Sequence, residues 1–84
     1  MEPDLIKQLI ESKLSNCDIT VTGENGHFEV VAIGEIFEDK SMVAKQQLIY
    51  AIVNEHITSG AIHALTIKTY THPEWQKAKK LQVQ

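Results

Sequence analysis

The sequence predicts an α+β domain with the order helix, strand, strand, helix, strand, helix, its helices packed on one face of a three-stranded mixed sheet. Three observations carry that expectation. Apolar residues recur at helical spacing in two segments, one near the N-terminus and one in the middle of the chain. Two stretches of alternating character flank Gly23, Glu24, Asn25 and Gly26, whose glycines and asparagine supply the positive φ a tight turn needs. A third β-rich stretch follows the central helix, and a strand so far from its neighbour along the chain joins it in parallel through a right-handed crossover.

Taken in order, Pro3 stands where a first helical turn tolerates a missing N–H, and Leu5, Ile6, Leu9, Ile10 and Leu14 follow on one side. The first helix is therefore expected over about residues 3–15. Residues 17–22 alternate, with Cys17, Ile19 and Val21 on one face and Asp18, Thr20 and Thr22 on the other. Residues 27–33 do the same with Phe28, Val30 and Ala32, so the two strands form a hairpin. From Ser41 to Thr58 there is neither Gly nor Pro, and Leu48, Ile49, Ile52, Val53 and Ile57 form an apolar stripe. That longest helix ends at Gly60, a residue suited to a helix C-cap. Residues 62–71 are rich in β-branched side chains and make the third strand. Thr71 and Glu74 then have the spacing of a capping box with Pro73 in the first turn, and Trp75 is expected to lay its ring back onto the domain.

Composition narrows the function classes. A chain of 84 residues has room for one domain, 1–84, with one modest core, and not for separate lid and substrate domains. With 43% hydrophobic and 23% charged residues it is too apolar for disorder. Charged residues interrupt the apolar ones at the N-terminus, which reads as neither a signal peptide nor a membrane span, so a cytoplasmic address is expected. The single cysteine, Cys17, excludes an internal disulfide and suits a reducing compartment. All eight basic side chains are lysine, so the guanidinium fork that recognises phosphate and guanine is missing. The net charge of −3 hides an asymmetry: residues 1–39 hold nine acids and two lysines, and residues 40–84 hold six lysines and two acids.

Four histidines are the groups suited to chemistry near neutral pH. His56 reads as a helix-surface residue and His72 as a turn residue. His27 opens the second strand and His63 the third, so parallel pairing brings both imidazoles to one edge of the sheet. Spacing alone leaves them as two polar residues at strand starts, because there is no second cysteine and no H-E-x-x-H or C-x-x-C pattern. No nucleophile elbow or Gly-rich phosphate loop is present, so an enzyme is not expected. Residues 23–26 do spell the G-x-x-G of KH domains, but here the tetrapeptide joins two strands and carries a glutamate that repels phosphate, so it reads as a hairpin turn. Lys77, Lys79 and Lys80 fit attraction of a polyanion and a solvated helix face equally well.

Residues 26–75 nevertheless resemble the BolA family, most of all its IbaG-like bacterial branch. The marks are His27-Phe28 after the turn, Phe37-x-x-Lys40-Ser41 before the long helix, and Ile62-His63-Ala64-Leu65 with Tyr70-Thr71-x-x-Glu74-Trp75 at the end. The resemblance implies a KH-like (BolA-like) fold with the element order given above. It also implies a non-enzymatic partner of a monothiol glutaredoxin that shares a [2Fe-2S] cluster, with His63 as a ligand and the glutaredoxin cysteine and a bound glutathione on the other side. In the family a second ligand comes from the stretch between the first two strands; here that stretch is the tetrapeptide, His27 is the nearest candidate, and Cys17 lies at the opposite end of the hairpin. The alternative the resemblance offers is a regulator that binds DNA or RNA through Lys40, Lys45 and Lys68. A third reading is a bare interaction module in which His63 only finishes a strand. The free chain is expected to be a monomer or weak homodimer.

Overall fold

The computed structural model of the chain describes residues 2–82 and contains the six expected elements, plus one short 3₁₀ turn. Helix α1 runs Pro3–Lys13 with proline in its first turn, and Leu14 closes it by donating its N–H to the Ile10 carbonyl. It is shorter than the apolar pattern suggested because Asn16 takes a left-handed conformation, φ 62°, and turns the chain toward the sheet. Ile6, Ile10 and Leu14 are buried at i, i+4 and i+8, whereas Leu5 stays 47% exposed.

Strands β1 (Asp18–Glu24) and β2 (His27–Ile33) pair antiparallel, from Glu24 opposite His27 to Asp18 opposite Ile33. Only Asn25 and Gly26 form the turn, with φ of 55° and 82°. Positive φ at both central residues is the signature of a type I′ hairpin, whose twist matches that of the strands it joins. Gly23 and Glu24, expected in the turn, extend β1 instead.

Between β2 and the next helix, Glu35–Phe37 make a 3₁₀ turn that no periodicity announced, and it seats Phe37 with no solvent exposure. Helix α2 (Met42–Thr58) starts at Ser41, whose hydroxyl accepts the Ala44 N–H at 3.1 Å. Such a cap contributes about 1 kcal/mol. The helix ends at Ser59, and Gly60 follows in the left-handed region at φ 86°. Strand β3 (Ala64–Tyr70) is parallel to β2 and the sheet order is β1-β2-β3, as the crossover argument required. Helix α3 (His72–Gln82) opens with the expected capping box: the Thr71 N–H donates to Glu74 Oε1 at 2.8 Å, and the Glu74 N–H to Thr71 Oγ1 at 3.4 Å. Trp75 packs on Tyr70 with ring centres 5.3 Å apart.

The core lies between one face of the sheet and helices α1 and α2. Ile19, Phe28, Val30 and Ala32 meet Ile6, Ile10, Leu14, Ile49 and Val53, with Phe37 and Ile62 closing the ends. Each of the valine, leucine, isoleucine and phenylalanine side chains contributes roughly 1.5–3 kcal/mol by leaving water, and Ala32 less. The outer face of the sheet is wetter and carries an exposed Lys68–Glu29 ion pair at 3.4 Å. Among the described residues no helix is long and apolar enough to cross a membrane.

Candidate metal centre

Because β2 and β3 run parallel and begin at the same end of the sheet, His27 pairs in register with Ala64, and His63 stands one residue before it. Both imidazoles are exposed. Their ring centres are 6.5 Å apart and their planes lie within 23° of parallel. Among the described residues neither ring takes part in a side-chain hydrogen bond, so the lone pairs are available.

The backbone beneath His63 is tied down. Its N–H donates to the Gly26 carbonyl at 2.7 Å, and the Ala64 N–H donates to the same oxygen at 3.0 Å. Gly26 thus joins the hairpin turn to the start of β3. A side chain there would collide with His63: an added Cβ would lie 2.2 Å from Cδ2 and 3.0 Å from Cγ of the imidazole. Gly26 therefore both makes the turn and leaves the space in which the ring sits. The sequence flagged it only as a turn residue, since nothing local reports a contact between positions so far apart in the chain.

Two exposed imidazoles on anchored backbone suit a transition metal, since neutral imidazole is a ligand for iron and zinc. They do not complete a site. Among the described residues no group of three or more His, Cys, Asp and Glu is placed to hold a metal ion. Any metal held here needs further ligands from another molecule.

Cys17 is not brought to the pair. It precedes Asp18, which lies opposite Ile33 at the other end of the sheet, and its Sγ packs where a Cβ on Gly34 would stand. Burial, and secondarily the Asp18 charge, raise its thiol pKa above the ordinary value, which keeps it protonated. His72 shares a hollow with Cys17 and Glu35 at that far end, and His56 is half-buried within α2. The three lysines are not brought to the His27–His63 pair either; Lys40 and Lys45 line a hollow with Thr71 and Glu74. Lys40 is exposed before α2, Lys45 lies 3.9 Å from Glu74, and Lys68 is paired with Glu29.

The chain has relatives in sequence and in fold. The acid stress protein IbaG of Escherichia coli strain K12 is 41% identical over 81 residues, covering 96% of each chain. A solved bolA protein homologue from Coxiella burnetii superposes with a TM-score of 0.78 at 35% identity, covering 90% of this chain and 97% of that one. Yeast Fra2 superposes with a TM-score of 0.73 at 27% identity, covering 100% of this chain and 94% of that one. The description "BolA-like protein" belongs to the family model that matches residues 3–74, nearly the whole of the structured chain, and so this chain belongs to the BolA family.

Proposed function

We propose that the chain is a non-enzymatic partner of a monothiol glutaredoxin and supplies His63, with His27 beside it, to a shared [2Fe-2S] cluster. Its work is iron-sulfur trafficking, iron homeostasis or a stress response in the cytoplasm. The observation that carries this reading is the exposed imidazole pair: two free ligands at one end of the sheet, too few to hold metal alone. The glutaredoxin cysteine and a bound glutathione supply the thiolates this chain lacks. Histidine ligation raises the potential of such a centre relative to thiolate ligation.

Protonation competes with iron for each imidazole, so the assembly loosens in acid. That sensitivity agrees with the name of the E. coli relative, an acid stress protein. The lone thiol, Cys17, agrees with a reducing cytoplasm.

The test is reconstitution. The chain is mixed with a monothiol glutaredoxin, iron, sulfide and glutathione; a heterodimer is expected, with a visible spectrum different from that of the glutaredoxin homodimer. His63→Ala should abolish the new spectrum while leaving the circular dichroism of the chain intact. A spectrum identical to the homodimer's, or one that His63→Ala leaves unchanged, refutes the proposal.

The nucleic-acid reading has less support. Lys45 and Lys68 each have a carboxylate neighbour, and no arginine is present to read a base. Binding of that kind would weaken steeply with salt.

A further inference from the structure

We propose that the open edge of β3 docks an extended segment of a partner protein as a fourth strand, drawn from sequences that alternate apolar and acidic residues. This surface is separate from the histidine pair and stands whether or not a cluster is bound there.

The backbone gives the first argument. The Ala64 N–H turns toward Gly26, and the Tyr70 carbonyl accepts the Gly34 N–H at 2.9 Å, so Ala64, Thr66, Lys68 and Tyr70 face β2. By the alternation of a strand, Leu65, Ile67 and Thr69 direct their N–H and C=O groups to the open side. Among the described residues no strand pairs with them, because β3 ends the sheet. Edge strands are usually blunted by charged side chains, lysine above all, or by proline, a bulge or a covering segment; the one charge on β3, Lys68, is engaged by Glu29 at 3.4 Å. β3 carries no proline and keeps an unbroken register from Ala64 to Tyr70.

The second argument is the groove along that edge. It holds about 600 Å³ between the start of α2 and α3, with Met42, Ile67 and Tyr70 as its apolar parts. Met42 is 72% exposed, a large apolar side chain at the rim. Three lysines, Lys45, Lys68 and Lys77, line it against one acid, Glu74. Lys77 makes no ion pair among the described residues. Lys45 and Lys68 each sit beside a carboxylate, so the positive excess of the groove is the charge of Lys77, and in a chain of net charge −3 that local sign favours an acidic occupant. A row of free backbone donors and acceptors over an apolar floor fits a peptide strand, whereas the absence of arginine disfavours a nucleic acid.

The experiment titrates the ¹⁵N-labelled full chain with an acetylated, amidated hexapeptide of alternating glutamate and valine. Saturable amide shifts are expected at Leu65, Ile67 and Thr69 and along the facing parts of α2 and α3, with His27 and His63 unmoved. Thr69→Pro removes an outward N–H without breaking the ladder to β2, and should weaken binding about tenfold at an unchanged fold. Lys77→Glu should weaken it as well, and a peptide with lysine in place of glutamate should not bind. The proposal is overturned by no saturable shift at millimolar peptide, by shifts centred on the histidine end, by affinity indifferent to Thr69→Pro in a folded variant, or by tighter binding of oligo-dT at the same edge.

Discussion

Substituting Gly26→Ala separates two demands that fall on one residue. The first is conformational: at φ 82° an L-residue is disfavoured by roughly 1–2 kcal/mol. The second is steric, because the new Cβ would meet Cδ2 of His63 at 2.2 Å and its Cγ at 3.0 Å. Gly60 is the control, with φ 86° and nothing within 4 Å of a Cβ built there. His63 is exposed and can swing away about χ1, so the collision should displace the ring rather than unfold the protein. Both variants are therefore expected to lose similar stability, with melting temperature falling by about 4–8 °C for each kcal/mol in a domain of this size. Only Gly26→Ala should shift the imidazole proton resonances of His63 and His27. If reconstitution succeeds as proposed, only that variant should also lose the mixed-complex spectrum. The assay pairs thermal melts with imidazole NMR. His63 resonances that stay put in Gly26→Ala refute the packing argument, and a Gly60→Ala melt matching the wild type refutes the conformational one.

Other outcomes follow from the core, the cap and the thiol. Phe37→Ala empties a fully buried site and should lower stability by about 3–5 kcal/mol, read by urea unfolding. Thr71→Ala should remove about 1 kcal/mol by deleting a cap, measured the same way. Glu74 is held below its ordinary value of 4.5, first by the backbone hydrogen bond from Thr71, then by that residue's side chain and by Lys45. A lowered carboxyl pKa contributes stability above the unfolded value that fades as pH falls through the folded one. Glu74→Gln should accordingly flatten the acid limb of the melting curve below pH 4.5, by little because the side chain is half exposed. Cys17 should react with iodoacetamide more slowly in the native chain than in urea at pH 8, since burial keeps its thiol protonated; equal rates would contradict that placement.

Much of this architecture was legible because its elements are long and periodic. Ile6, Ile10 and Leu14 announce one helix, Ile49 and Val53 another, and the helix between β2 and β3 leaves a parallel crossover as the connection. Short features were not legible. Glu35–Phe37 make only three residues of 3₁₀ turn, too few for any period, so Phe37 enters the core unannounced. Gly23 and Glu24 looked like turn residues, but two residues suffice for a type I′ turn when Asn25 and Gly26 both take positive φ. At the candidate site, strand pairing foretold that His27 and His63 would be neighbours. The glycine cradle under His63 was hidden because it joins two positions through space alone.

The parallel register of β2 and β3 also sets when the imidazole pair can exist. His27 and His63 are separated in the chain by all of α2, and they meet only once the crossover has closed and the strands have locked. Such non-local pairing is late and slow compared with helix formation. A half-synthesised or heat-damaged polypeptide therefore displays isolated histidines, and the close imidazole pair is itself a certificate that folding has finished.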